Sequence, residues 1–116
     1  ARSLESGVAV TELPPAQTLA EGLEGGISAR AFARARALLS AAVVCTEEEI
    51  AQAMRFAMLE LGLAIEGSAA VALAPALAAA LPLARDTETD VVVVLTGRNV
   101  DLERLASVVG AAGDMC

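Results

Sequence analysis

The segment from Asp90 to Asp101 constrains the fold of this chain more than any other. It reads Asp-Val-Val-Val-Val-Leu-Thr-Gly-Arg-Asn-Val-Asp, and four valines followed by a leucine predict a parallel β-strand covered on both faces. The strand is predicted to end at Thr96-Gly97, and Asp101 is placed to cap a helix that begins near Leu102. Because ligands in open α/β sheets bind outside the carboxyl ends of such strands, Thr96 lies where a binding residue is expected.

The basic residues of the chain are all arginines, and lysine and histidine are absent. Histidine is the commonest general base and metal ligand, and lysine is the side chain that forms Schiff bases. Glu21 lies in a glycine-rich stretch, 18–27, and is of a metal-ligand type, but no second ligand stands at a supporting spacing. The sequence therefore predicts no metal site and no catalytic residue within this chain.

Composition limits the classes of protein to which the chain can belong. Its 116 residues suffice for one domain, and a net charge of -7 argues against binding to nucleic acid. The uncharged stretch 67–84 approaches the length of a membrane span, but it is rich in alanine and contains Pro75 and Pro82, so we expect a buried helix. Cys45 and Cys116 do not make a disulfide framework. We expect a cytoplasmic protein that binds no membrane.

Local signals divide the chain into helices and short strands. Thr46 and Glu49 form a predicted capping box at the start of a helix over 47–61. The core face of that helix is expected to comprise Ile50, Met54, Ala57, Met58 and Leu61. Further helices are predicted over 1–6, 28–39, 68–81 and 102–109, and strands over 42–45 and 91–95. Because two strands make a poor sheet, the sequence predicts part of a larger α/β domain.

Glu66 is a carboxylate in an otherwise apolar stretch, immediately before a predicted helix. One interpretation is that it complements the positive end of the helix dipole, which contributes at most about 1 kcal/mol. The other is that it contacts a ligand, since the small residues that follow it allow another group to approach the backbone closely. Thr96 has the same two interpretations, a turn residue or a binding residue, and Gly97 would suit a positive-φ turn in both.

Four segments contain motifs that follow one another in order. They are Thr-Leu-Ala-Glu-Gly-Leu at 18–23, Val-Val-Cys-Thr-Glu-Glu-Glu-Ile at 43–50, Leu-Ala-Ile-Glu-Gly-Ser-Ala-Ala at 63–70 and Val-Val-Val-Leu-Thr-Gly-Arg-Asn-Val-Asp at 92–101. These segments resemble T-I-A-D-G-L, V-x-V-S/T-E-x-E-I, L-x-x-E-P-x-G/A-A and V-V-x-L-S-G-G-N-V-D of the threonine/serine dehydratase family. That family includes serine racemase and belongs to fold type II of the pyridoxal-phosphate (PLP) enzymes.

The resemblance covers residues 1–109 and implies a fold. It implies an α/β protein, a three-layer αβα arrangement with mostly parallel strands. Residues 1–109 would form the C-terminal segment of the large, tryptophan synthase β-like domain, and residues 110–116 would be a tail.

The resemblance also implies pyridoxal phosphate as the cofactor and Thr96, Glu66 and Gly97 as cofactor-binding residues. Thr96 falls where the family's serine faces the pyridine nitrogen, and Glu66 falls on the family glutamate beside the ring. A neutral hydroxyl leaves that nitrogen largely unprotonated, which suits β-elimination over transamination.

The chain departs from the family pattern in several places. Arg98 replaces a glycine, and Gly67 replaces a proline, which we expect to loosen the turn at Glu66. The family's Schiff-base lysine, phosphate loop and substrate-carboxylate loop all precede the matched region. We therefore expect a fragment that does not bind the cofactor covalently and is inactive alone.

Two classes of function follow from these residues and the resemblance. The first is part of a lyase that deaminates L-threonine or L-serine to a 2-oxo acid and ammonia, with serine racemase or a related amino-acid lyase as the alternative within the family. Its expected partners are the lysine-bearing remainder of the enzyme, a small amino-acid substrate and a second copy in a homodimer. The second class is a truncated, non-catalytic homologue that acts in binding or oligomerisation.

Overall fold

A computed structural model describes residues 1–81 and 90–111, which form helices joined by extended segments. The α-helices of that part are α1 (Arg2–Ser6), α2 (Ala29–Leu38), α3 (Glu47–Leu59), α4 (Gly67–Leu77) and α5 (Leu102–Gly110). A 3₁₀ turn, Glu21–Leu23, interrupts the stretch that the sequence predicts to be a loop. Cys116 lies outside the described residues, as do most residues of the predicted tail.

Three of the helices start with a side-chain cap, and the sequence predicts the caps at Thr46 and Asp101. Ser28 caps α2. The Thr46 hydroxyl accepts a hydrogen bond from the Glu49 amide at 3.2 Å, and the Glu49 carboxylate accepts one from the Thr46 amide at 2.7 Å. Asp101 accepts hydrogen bonds from two amides in the first turn of α5. The predicted starts of these helices are therefore confirmed.

The core lies between α3 and α4, with α5 packed against α3. Many of its buried residues are alanines, among them Ala53, Ala57 and Ala70, which are fully buried. Met54 fills the space between them and is 1% exposed. Small side chains allow the two helix backbones to approach closely, so the high alanine content serves helix packing here.

The predicted core face of α3 is wrong at its C-terminal end. Met58 is 40% exposed and Leu61 is 48% exposed, whereas Ile50, Met54 and Ala57 are buried as predicted. The helix ends at Leu59, two residues earlier than predicted, and the backbone then turns away at Gly62, whose φ is 67°. Leu61 therefore no longer lies on the helical stripe.

Helix α4 also ends earlier than predicted, at Leu77 rather than near residue 81. Ala79 adopts a left-handed conformation with φ 51°, and the Ala80 amide donates to the Pro75 carbonyl at 2.9 Å. This six-to-one hydrogen bond is the mark of a Schellman motif, which terminates a helix. Pro82, which belongs to the uncharged stretch 67–84, lies outside the described residues.

The two predicted strands are not formed in the described residues. Segments 42–45 and 91–95 make no backbone hydrogen bonds there, and a β-strand requires hydrogen bonds to a neighbouring strand. The three-layer αβα arrangement is therefore not seen in this part of the chain. Burial nevertheless alternates along segment 91–95. Val93 and Leu95 pack against the helical core, whereas Val92 and Val94 are 85% and 67% exposed. Within the described residues, helices cover one face of this segment, and the covering of both faces is not confirmed.

Candidate functional site

Glu66 is the residue immediately before α4, and its side chain does not cap that helix. The backbone is extended at this position, with φ -77° and ψ 159°, and the side chain is half-buried. An N-cap role would require the carboxylate to accept from an amide of the first helical turn. The carboxylate is therefore directed elsewhere than to the end of its own helix.

The carboxylate of Glu66 lies against Gly97, which brings two predicted site segments together. The Glu66 amide donates a hydrogen bond to the Gly97 carbonyl at 3.2 Å. A Cβ atom added to Gly97 would collide with the Glu66 carboxylate and would lie 2.8 Å from its Cγ atom. The predicted positive φ at Gly97 is not observed. Glycine is needed here because Glu66 approaches closely, and not because of the backbone conformation.

Thr96 precedes Gly97 and is exposed. Its neighbours Leu95 and Gly97 are half-buried, so the chain turns the threonine side chain away from the helical core at this point. Arg98, on the other side of Gly97, is exposed as well. The structure thus places the Thr96 hydroxyl at the surface, one residue from the glycine that contacts Glu66.

Gly67 is buried and touches the segment that contains the first family motif. A Cβ atom at Gly67 would collide with the Leu19 carbonyl group. Gly67 is therefore packed closely against this segment, and the loosening of the turn at Glu66 stays a prediction. The small residue allows the backbone of 18–23 to pack directly on the start of α4, where a larger side chain would separate them.

Three helices hold the 18–23 segment in place. From α3, the Glu47 carboxylate accepts from the Leu19 amide at 2.7 Å and from the Thr18 hydroxyl at 2.6 Å. From α4, Ser68 Oγ accepts from the Gly22 amide at 2.9 Å. The third helix is α5, whose Arg104 donates to the Thr18 carbonyl at 2.8 Å and forms an ion pair with Glu21.

Sequence reasoning missed Glu47, Ser68 and Arg104 as partners of this segment. Each lies far from residues 18–23 in the chain, and polar residues near the start of a helix are ordinarily explained by local capping. Glu21, whose side chain is of a type that can bind metal ions, is the ion-pair partner of Arg104. No signal in a single sequence pairs residues at these separations.

A cavity of about 470 Å³ lies between the 18–23 segment and the first turns of α4 and α5. Glu66 and Ser68 line it from α4, Asp101 and Arg104 from α5. Thr96 and Gly97 do not line it. A larger, mainly apolar cavity of about 660 Å³ lies among the N-terminal segments and α2, away from all three predicted site residues.

Other site chemistry is limited in the part of the chain that the structure describes. No group of three or more cysteine, aspartate or glutamate side chains within it is arranged to hold a metal ion. The pKa of the Cys45 thiol is raised by partial burial and by the negative charges of Glu49 and Glu47. None of the helices within residues 1–81 and 90–111 has the length and apolar character needed to cross a membrane.

Comparison with known proteins identifies the family. Residues 1–97 match the model of the pyridoxal-phosphate dependent enzyme family, and the chain belongs to that family. The structure is similar to the crystal structure of a threonine deaminase from T.th., with a TM-score of 0.75 and 26% sequence identity. The match covers 86% of this chain and 35% of the threonine deaminase chain. No relative was found among curated protein sequences.

These findings confirm the resemblance to fold type II threonine dehydratase-like enzymes. The family depends on pyridoxal phosphate. The chain spans about a third of the length of the threonine deaminase that it resembles, 35%. The activity, substrates and partners of the whole protein are therefore proposals.

Proposed function

We propose that this chain forms the pyridine-nitrogen side of the cofactor pocket in a pyridoxal-phosphate-dependent lyase. The enzyme deaminates L-threonine or L-serine to a 2-oxo acid and ammonia. Membership of the family and similarity to a threonine deaminase support the general class of reaction. The roles of individual residues are supported by the geometry of the site.

The observation that favours this role most is the contact between Glu66 and Gly97. The hydrogen bond from the Glu66 amide to the Gly97 carbonyl, 3.2 Å long, joins segments that are about 30 residues apart in the sequence. It places Glu66 beside the residue that follows Thr96. Two residues that contact one aromatic ring must lie close together, and this contact supports such an arrangement of Glu66 and Thr96.

The residues present fit the pyridine side of the cofactor. Thr96 offers an exposed, neutral hydroxyl group, which can donate a hydrogen bond to a ring nitrogen. Gly97 leaves the space in which the Glu66 carboxylate lies. A ring nitrogen that faces a hydroxyl rather than a carboxylate is not held in its protonated form, because the group that faces it carries no negative charge.

When bound, pyridoxal phosphate supplies an electron sink for the negative charge that develops at the substrate α-carbon. The hydroxyl of Thr96 orients the ring and limits how strongly it withdraws electrons. This chain contains no lysine, so a lysine in the remainder of the enzyme would form the Schiff base and accept the α-proton. Loss of the β-hydroxyl as water and hydrolysis of the product then give the 2-oxo acid and ammonia.

The natural protein should first be measured by intact mass. A protein longer than this chain, with a lysine-bearing portion, is the expected result and would supply the material for the assays. A natural protein that consists of these residues alone would instead favour the non-catalytic binding or oligomerisation module. We propose that the longer protein acts as a cytoplasmic homodimer.

The role of Thr96 is tested in that intact enzyme with L-threonine and L-serine, by following the release of 2-oxo acid. Thr96→Ala removes one hydrogen bond to the cofactor, so kcat/KM should fall about tenfold. Thr96→Ser is the matched control, since it keeps the hydroxyl and should retain most of the activity. Full activity of Thr96→Ala would show that the assigned role is wrong, and a cofactor-loaded enzyme that releases no 2-oxo acid from either substrate would refute the lyase.

A further inference from the structure

We propose that Arg104 is a positioning residue, which holds Thr96 beside Glu66 by joining the start of α5 to the 18–23 segment. The roles of Thr96 and Glu66 rest on the proposed function, whereas the contacts of Arg104 belong to this chain. The hydrogen bonds of Arg104 go to Thr18, Glu21 and Asp101, and to neither of the two residues. It acts through the segment that lies between the helices.

Arg104 binds the 18–23 segment at two points. Its Nη2 atom donates to the Thr18 carbonyl at 2.8 Å, and its Nη1 atom pairs with the Glu21 carboxylate. The backbone amide of Arg104 donates to Asp101 at 3.1 Å, which fixes the first turn of α5. The guanidinium group thus connects the segment to a capped helix start that follows Thr96 closely in the chain.

The same segment also sets the position of Glu66. Gly22 donates its amide hydrogen to Ser68 Oγ at 2.9 Å, and the Leu19 carbonyl lies directly against Gly67. Ser68 and Gly67 belong to the first turn of α4, immediately after Glu66. The starts of α4 and α5 are therefore both fixed to one short stretch of backbone.

Helix α3 anchors that stretch independently of α5. Glu47 accepts hydrogen bonds from the Leu19 amide and the Thr18 hydroxyl, at 2.7 and 2.6 Å. Loss of Arg104 should therefore leave the segment on α3 and α4, while the start of α5 loses its link to the segment and the rest of α5 stays packed on α3. The hydrogen bond from the Glu66 amide to the Gly97 carbonyl spans the two parts and reports on any separation between them.

Arg55 provides a matched control for Arg104. It donates to the Val108 carbonyl at 3.0 Å and pairs with Glu48 at 2.9 Å, so it also makes one carbonyl hydrogen bond and one ion pair. Arg55 joins α3 to the end of α5 and does not contact the 18–23 segment. Substituting either arginine by glutamine removes the same kinds of interaction from different places.

The test compares amide hydrogen exchange at Glu66 in dilute solutions of the full chain, its Arg104→Gln variant and its Arg55→Gln variant. Local opening controls exchange at such an amide. Each exchange rate is first corrected for the change in global stability that the substitution causes. The corrected rate at the Glu66 amide should then be about tenfold higher in Arg104→Gln than in the unmodified chain, as expected for loss of a charged hydrogen bond. Arg55→Gln should leave the corrected rate unchanged.

Equal corrected rates at Glu66 in the two glutamine variants would overturn the proposal. Should Arg104→Gln fail to fold, the same exchange measurement is made on Glu21→Gln, which removes the other partner of the ion pair. Glu48→Gln, which removes the ion-pair partner of Arg55, is then the control. The outcome is separate from that of the Thr96 assay. Faster exchange in Arg104→Gln together with full activity of Thr96→Ala would support the positioning role of Arg104 and refute the cofactor-binding role of Thr96.

Discussion

Gly67 and Gly97 are required in this site because other groups approach them closely. Neither has a positive φ, and at both positions a Cβ atom would overlap a neighbouring group. The group that approaches Gly97 is the Glu66 carboxylate, which belongs to the proposed site itself. At the residue scale, the proposed site therefore depends on two positions that lack a Cβ atom as well as on its polar side chains.

The close approach at Gly67 predicts a loss of stability on enlargement. Gly67→Ala should lower the free energy of unfolding by about 1–3 kcal/mol, because the new methyl group must displace the Leu19 carbonyl. Urea denaturation followed by circular dichroism measures this change. Gly110→Ala is the control, since a Cβ there has open space around it, and it should be neutral or slightly stabilising. An unchanged midpoint for Gly67→Ala would contradict the packing described.

Cys45 should react slowly with thiol reagents at neutral pH. Partial burial, followed by the negative charge of Glu49, raises the pKa of its thiol, so less thiolate is present at a given pH in the folded chain. In the Cys116→Ser variant, the rate at which Cys45 is alkylated should rise with pH. The midpoint of this rise should lie at a higher pH in the folded chain than in the urea-unfolded chain. Coincident pH curves for the folded and unfolded chains would disprove the predicted shift.

At the scale of elements, the end of α4 contains strain that a substitution can relieve. Ala79 has a φ of 51° within the Schellman motif, a conformation that glycine adopts without the cost imposed by a Cβ atom. Ala79→Gly should therefore raise the free energy of unfolding by about 0.5–1 kcal/mol. Thermal denaturation tests this, with Ala78→Gly as the control. Ala78 has a φ of -74°, so glycine there should be destabilising. A lower melting temperature for Ala79→Gly would argue against the motif.

The helices differ in how far their two ends could be predicted. Their starts follow from local chemistry, since Thr46 and Asp101 cap the turns that immediately follow them. Their C-terminal ends were less predictable, since α3 and α4 both end earlier than the sequence indicates, before positive-φ residues at Gly62 and Ala79. Strand formation depends on distant residues, because a strand is stabilised by the hydrogen bonds of its neighbours.

At the scale of the whole molecule, the exposed valines of 91–95 predict self-association. Val92 and Val94 are 85% and 67% exposed, and the segment presents unpaired backbone groups beside them. The isolated chain should form dimers or larger species as its concentration rises, and Val92→Glu should reduce this without loss of helicity. Sedimentation velocity over a range of concentrations provides the measurement. A monodisperse monomer of the unmodified chain throughout that range would refute the prediction.

The sequence by itself determined the family and the starts of the capped helices, and it predicted three residues of the proposed site. These follow from local motifs, in which each residue acts on its near neighbours or stands in a recognisable order. The tertiary structure alone decided that the Glu66 carboxylate lies on Gly97, and that Glu47, Ser68 and Arg104 hold the 18–23 segment. Such contacts join residues that are distant in the chain, and their existence depends on how the helices pack, which no local pattern specifies.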